Sequence, residues 1–387
     1  MAADVRITGI EAHLFEYELP DHGHDYNGFS IIYKKGSTVR RRTMAIKVHT
    51  HTGVTGEFVG GTAASLGQLQ VFARYLLGKN ALERELIYND VKRGLRFSDK
   101  VGMGPVDVAL WDIAGRIYGA PIYQMLGGYR RKLPAYASTY HGEENSGYLD
   151  SPETYADFAQ QCLEMGYPAF KLHVWGQPPF DRDVAAVHAV GKRVGGKMDL
   201  MLDGSCAYRT FWDALKVGRA CDEEAFMWLE DPMSDAGVSA FAHRKLRQLI
   251  KTPILQMEMV RGVEAKIDFI VAEATDFVRA DIQDGGITGV MKIAHAAEGF
   301  GLDVEIHATG PAQRHCMAAM RNANYYEMAL VHPTGAWQGP PVYKNYRDGL
   351  DAVDSNGCVD VPEGPGLGVE YDWDFIMKHR VGGVEYK

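Results

Sequence analysis

Between residues 133 and 330 short apolar runs alternate with amphipathic stretches, a two-residue period giving way to a helical one and back. The runs at 133–138, 169–174, 199–203, 226–230, 253–258, 276–282, 302–307 and 324–330 read as strands. Helical spacing fills the gaps at 152–165, 182–194, 211–221, 239–249, 263–274, 288–298 and 311–320. Strand–helix alternation of this kind predicts a parallel sheet with right-handed crossovers, and eight such strands close into a barrel. An open doubly wound sheet would place phosphate-binding glycines after its first strand, and no Gly-x-Gly-x-x-Gly stands there.

The first 130 residues or so follow another rhythm. Positions 42–50 alternate into a turn at His51-Thr52-Gly53 and resume at 54–59, which predicts a β-hairpin. Helical spacing follows at 65–77, 81–95 and 105–118, the last stopped by Gly119-Ala120-Pro121. This predicts an α+β unit. The tail from Leu350 to Lys387, rich in Gly, Pro and Asp, is expected to leave the barrel and pack back on that unit. The expected division is 1–128, 129–350 and 351–387.

Composition narrows the class. A chain of 387 residues with 46% apolar and 24% charged content is globular and large enough to bury a core without disulfides. Five cysteines, odd in number and without Cys-x-x-Cys spacing, favour a reducing cytoplasm over a disulfide framework or zinc site. The opening segment has no basic stretch followed by an apolar run, so no secretory leader is expected. No apolar stretch approaches the roughly 20 residues that span a bilayer. A net charge of −9 argues against nucleic-acid partners, and Arg40-Arg41-Arg42, the one arginine run, reads as the solvated start of a strand.

Chemistry concentrates at the carboxyl ends of the expected strands, where parallel barrels carry their active sites. Those ends are Lys171-Leu172-His173, Asp203, Glu230-Asp231-Pro232, Glu258, Asp281 and His307. A charge closing an apolar strand is costly unless paired or bound to metal. Asp203, Glu230 and Glu258, on successive strands, offer hard oxygens and no thiolate, which suits Mg²⁺. Like charges about 4 Å apart cost on the order of 4 kcal/mol at an effective dielectric near 20, so cations are needed nearby. Lys171 stands on the neighbouring strand, with His173 two residues on and on the same face. Asp281 and His307 end adjacent strands, and a carboxylate beside an imidazole sets its tautomer and basicity.

These residues, with Gly104-Pro105-Val106-Asp107-Val108-Ala109-Leu110-Trp111-Asp112, Gly119-Ala120-Pro121 and Leu126-Gly127-Gly128, resemble the enolase superfamily in its mandelate-racemase branch. The resemblance runs over nearly the whole chain. It implies a modified (β/α)7β barrel under an α+β capping domain, with Mg²⁺ held by Asp203, Glu230 and Glu258. It makes Lys171 a contact for the substrate carboxylate and His173 one acid–base residue, where the branch has Lys-x-Lys. It makes Asp281 and His307 the opposing dyad, and Glu327 a hydrogen-bonding partner of the substrate carboxylate. Three positions depart from the branch: His173 replaces lysine, which leaves either His173 or Lys171 as the base on that face, Met257 stands where glycine is usual, and Asp284 competes with Asp281. Strand parity favours Asp281.

The implied reaction is abstraction of the proton α to the carboxylate of a small molecule, leading to dehydration of an aldonate or aldarate to a 2-keto-3-deoxy acid. Racemisation or epimerisation of a 2-hydroxy acid and lactone cycloisomerisation start from the same deprotonation. A catalytically silent binding protein is the alternative of another class. A homo-oligomer is implied by the resemblance. His22-x-His24 and His49-x-His51 are spaced like metal pairs, but their loop and turn settings predict solvated side chains. The loop at 20–30 is expected to close over the barrel mouth, and Trp175 and Tyr208 either line the pocket or pack beneath a loop.

Overall fold

The computed structural model describes residues 4–236 and 238–387; residues 1–3 of the expected first unit lie outside them. Two long antiparallel strands and a short one come first: β1 (Ile7–His24), β2 (Ile31–Thr50) and β3 (Thr55–Val59). Helices α1 (Ala63–Leu76), α2 (Arg84–Gly94), α3 (Met103–Tyr118) and the short α4 (Ile122–Met125) follow. The barrel then runs β4 (Lys132–Thr139), α5 (Pro152–Glu164), β5 (Ala169–His173), α6 (Asp181–Val194), β6 (Asp199–Asp203) and α7 (Phe211–Glu223). It continues through β7 (Trp228–Glu230), α8 (Ala240–Arg247), β8 (Ile254–Gln256), α9 (Val263–Val271), β9 (Phe277–Ala280) and α10 (Gly286–Gly299). The last members are β10 (Val304–Ile306), α11 (Pro311–Ala319) and β11 (Tyr326–Val331). Residues after the barrel form β12 (Cys358–Asp360), α12 (Trp373–Lys378) and β13 (Arg380–Tyr386).

The eight parallel strands lie in sequence order from β4 to β10, and β11 returns to pair with β4. Seven helices separate eight strands, so the (β/α)7β expectation holds. The seam between β10 and β11 is closed partly by a side chain. Val304 donates its N–H to the Asn322 carbonyl at 2.7 Å, and the buried Glu305 carboxyl accepts from the N–H groups of Asn324 and Tyr325. Sharp helix starts come from local chemistry. Thr62, Ser151 and Thr210 each form a capping box with the residue three positions on, which satisfies otherwise orphaned N–H groups. All five residues of β5 are buried, as a parallel strand covered on both faces requires.

The antiparallel sheet has the order β13-β1-β2-β3, with β13 at its edge beside β1. Strand β1 escapes the periodicity. It is an inner strand, and register shifts near Ile7/Gly9 and Leu14/Phe15 break its two-residue alternation. The loop expected at 20–30 is largely this hairpin: strand pairing extends to His24 and resumes at Ile31, leaving a short turn. His22 is buried rather than solvated, with Nε2 2.8 Å from Tyr140 Oη, and the Tyr33 ring stacks on His332 at 3.9 Å. These contacts fasten the hairpin over the barrel mouth. His49 is half-buried against Glu11, while His24 and His51 are exposed. Among the described residues no helix is long and apolar enough to cross a membrane.

Candidate active site

Side chains inside the barrel fall into layers because each strand turns alternate residues inward. The lowest layer is an apolar plug of Tyr136, Ala169, Met201, Trp228 and Leu255, with Phe277 and Tyr325 packed against it. Two residues further along, the interior becomes ionic: Ser138, Lys171, Asp203, Glu230, Arg279 and Glu327. The Lys171 ammonium lies 2.8 Å from Glu230 Oε2, 2.8 Å from Glu327 Oε1 and 3.3 Å from Asp203 Oδ2. Burial opposes its charge, but Glu230 and Glu327 outweigh that and hold the group well above the usual lysine range. Arg279, a guanidinium set within the apolar strand β9, reaches Glu230 and Glu327 at 2.8 and 2.9 Å. Its contact with Glu230 Oε1 is not aligned as a hydrogen bond, so that buried oxygen has no donor.

Above this layer opens a cleft of about 920 Å³. Its wall includes His173, Asp203, Asp231, Glu258, His307 and Glu327, whereas Lys171, Glu230 and Asp281 lie behind the wall. His173 Nε2 is 2.9 Å from Asp203 Oδ2. His307 Nδ1 is 2.9 Å from Asp281 Oδ2, and its Nε2 is 3.5 Å from Glu258. Burial alone would lower the His307 pKa; Glu258, Asp281 and Glu327 push it up instead, to about 10. The Asp281 carboxyl is held far below the carboxylate range because the His307 hydrogen bond, Arg261 and the Gln283 N–H outweigh burial. Asp284, the competing aspartate, accepts from the N–H groups of Asp281 and Gly262 and sits 3.2 Å from Lys266, whereas it is Asp281 that meets the His307 ring.

Glu327 accepts from Ser138 Oγ at 3.0 Å and the Ala308 N–H at 2.8 Å besides its two cations. Burial works against its charge, but Arg279 and Lys171 hold it well below the usual range. An ionised Glu327 accepts hydrogen bonds and does not donate them.

The set fits a divalent cation by donor chemistry. Asp203, Glu230 and Glu258 offer only hard oxygens, and Glu230 Oε1 and Asp231 Oδ1 are buried without a donor. Burial, then Glu258, Glu230 and Asp203, push the Asp231 carboxyl well up, the signature of negative charge in excess of Lys171 and Arg279. Among the described residues no three His, Cys, Asp or Glu side chains already close on one point as a finished cage. The Lys171 ammonium instead stands between Asp203 and Glu230.

Glu258 reaches the cleft through a break in parity. Leu255 faces the barrel interior and Gln256 faces out toward His243, so alternation would send residue 258 outward. Met257 has φ +93°, a left-handed conformation costly for a side chain, and it reverses the order. The fully buried Lys266 secures that turn, donating to the Met257 carbonyl at 2.5 Å and the Arg279 carbonyl at 2.8 Å. Lys266 carries no sequence signal beyond a lysine on the apolar side of a helix. Trp175 is buried, with its indole N–H donating to the Glu143 carbonyl, and lines a second cleft of about 750 Å³ beside the first. Tyr208 packs against Phe180 and lines neither.

Residues 154–375 match the family described as enolase C-terminal domain-like, and residues 33–127 match the mandelate racemase / muconate lactonizing enzyme N-terminal domain. The chain is 26% identical over 395 residues to D-galactarolactone cycloisomerase of Agrobacterium fabrum, covering 97% of this chain and 99% of that protein. It is 26% identical over 377 residues to D-gluconate dehydratase of Thermoproteus tenax, covering 90% and 72%. Among solved structures, D-glucarate dehydratase from Agrobacterium tumefaciens, complexed with magnesium, superposes with a TM-score of 0.86. It is 32% identical, with 98% of this chain and 100% of that one covered.

Proposed function

The chain belongs to the enolase superfamily, in its mandelate racemase branch, and on that footing we propose that it dehydrates a sugar acid. It is an enzyme of the lyase or racemase kind. The observation carrying the proposal is a pair of imidazoles, His173 from β5 and His307 beyond β10, on one cleft with a carboxylate-rich floor.

In this reading His173 accepts the α-proton, and His307 donates a proton to the departing β-hydroxyl. Water is lost, and the resulting enol becomes a 2-keto-3-deoxy acid. Asp281 holds the Nδ1–H of His307, which leaves Nε2 facing the cleft as the donating atom. Asp203, Glu230 and Glu258 would hold Mg²⁺, which would supply positive charge to stabilise the anion formed as the proton leaves. Lys171 and Arg279, from below, keep Glu230 and Glu327 ionised and fixed. The charged state of Lys171 supports an electrostatic role for it and leaves proton abstraction to His173.

The test is incubation with Mg²⁺ and a library of aldonic and aldaric acids in D₂O. At least one acid yields a 2-keto product. His307→Asn retains α-proton exchange but loses keto acid, and His173→Asn loses both, by roughly 10²–10⁴-fold for removal of a general acid or base. Neither keto acid nor deuterium wash-in from any acid would overturn the proposal. Imidazoles on two well-separated strands also support a second reading, inversion by reprotonation from the other side. Wash-in with inversion and without keto acid selects it. A cytoplasmic homo-oligomer belongs to the same proposal, supported by the family and by five unpaired cysteines; sedimentation measures the assembly.

A further inference from the structure

Strand β2 sends its alternate residues to opposite sides, and this separates the arginine run. Arg40 and Arg42 point to solvent, where both lie against Glu16. Arg41 points the other way, into the wall of the cleft that holds His173 and His307. Its Nη1 donates to the Gln338 carbonyl at 3.2 Å and to Gln338 Oε1 at 2.9 Å. Gln338 is itself fixed: its Nε2 donates to the Ile31 carbonyl, and its carbonyl also accepts from Tyr17 Oη at 2.9 Å. Both partners of Arg41 are neutral, and among the described residues no carboxylate pairs with it. One nitrogen of the guanidinium is therefore used twice. The edge formed by Nε and Nη2, the edge that grips a carboxylate with two parallel hydrogen bonds, is left over.

The charge around it gives that edge a purpose. The cleft floor is acidic, with Asp203, Asp231, Glu258 and Glu327. The other acid on the wall, Asp348, is already taken by Arg314 at 2.5 Å. Arg42 also borders the cleft, but its guanidinium turns to solvent and is neutralised by Glu16 at 2.5 Å. Arg41 is thus an unbalanced cation on the capping side, while the reacting groups lie on the barrel side. A monoacid that reacts at the strand ends presents a neutral hydroxymethyl group to the cap and leaves this charge unanswered. A diacid answers it.

We propose that Arg41 binds the distal carboxylate of a dicarboxylic substrate, so that the sugar acid taken by this enzyme is an aldarate; this deepens the function proposed above and rests on it. The test compares six-carbon aldarates with the matching aldonates, using Mg²⁺-loaded full-length protein and α-proton exchange followed by NMR. Wild type favours aldarates in kcat/KM. Arg41→Met lowers kcat/KM for aldarates by roughly 10- to 100-fold, the loss of a charge-assisted pair, chiefly through KM, and changes aldonate turnover little. Calorimetry with adipate and hexanoate gives a readout free of turnover: wild type binds the diacid more tightly, and Arg41→Met removes the difference. Exchange of aldonates at least as fast as aldarates, or an Arg41→Met variant that treats both classes as wild type does, overturns the diacid proposal alone. No exchange with any acid overturns it together with the function on which it rests.

Discussion

Replacing Lys266 by methionine perturbs the cleft from behind without touching its wall. The ammonium is fully buried and serves two carbonyls, Met257 and Arg279, and the Asp284 carboxylate at 3.2 Å. Lys266→Met keeps most of the side-chain volume but takes the ammonium from the two carbonyls and leaves the buried Asp284 carboxylate without its cation, held only by the N–H groups of Asp281 and Gly262. Breaking a buried ion pair from one side costs about 3–5 kcal/mol. The left-handed Met257 adds a coupled effect, since a non-glycine residue there stores about 1–3 kcal/mol that surrounding contacts must contain. The expected result is a loss of roughly 3–5 kcal/mol in urea unfolding, together with weaker Mg²⁺ binding by calorimetry as Glu258 leaves the cleft. In a Met257→Gly background, which is itself destabilised by loss of a buried side chain, the same replacement should cost about 1–2 kcal/mol less, because glycine needs no restraint. A Lys266→Met variant within about 1 kcal/mol of wild type, or a double-mutant cycle additive within about 0.5 kcal/mol, would refute this account of how Glu258 is aimed.

Further expectations concern pH, metal and the dyad. Burial pushes the carboxyl of Asp183 up to about 7, with Arg182 and the Trp175 N–H offsetting only part of the effect. Because its folded pKa exceeds the unfolded value of 3.8, its stabilising contribution is complete below that value and is lost as pH rises through 7. That amounts to roughly 4 kcal/mol at 1.36 kcal/mol per unit, so Asp183→Asn should be more stable than wild type at pH 8 in urea melts, and a less stable variant contradicts the assignment. Chelator-treated protein should gain about 2.7 kcal/mol when Mg²⁺ is present at a hundred times its Kd, and Glu258→Gln should lose most of that gain; an equal gain in both argues against Glu258 as a ligand. Asp281→Asn should lower the His307 pKa by about 1–2 units, the worth of a charge-assisted hydrogen bond, in imidazole NMR titrations. An unmoved His307 would separate the two residues functionally.

The barrel was legible because its strands are short, apolar and buried on both faces, and because Gly, Pro and capping residues mark where each helix begins. The polar ends of those strands exposed the candidate site for the same reason: Asp203, Glu230 and Asp281 close apolar runs at their carboxyl ends. What stayed hidden were interactions between strands distant in sequence. Arg279 sits inside an apolar run with nothing local to show that Glu230 and Glu327 receive it. Glu258 lies on the wrong parity until the φ of Met257 is known. Lys266 resembles any lysine of an amphipathic helix. Strand β1 lost its alternation because it is paired along both edges and broken by register shifts, and His22 could be recognised as buried only once Tyr140 was placed beside it.

The pairing of β1 with β13 has a consequence for biogenesis. Ile10 lies opposite Tyr386, so an inner strand waits for a neighbour that leaves the ribosome 376 residues later. Through the whole synthesis of the barrel one edge of β1 is bare, an open template for the wrong strand. Translation at about 5–20 residues per second keeps it so for tens of seconds. Nascent chains halted within the barrel should therefore be better chaperone clients than the released chain, in which β13 is free to pair.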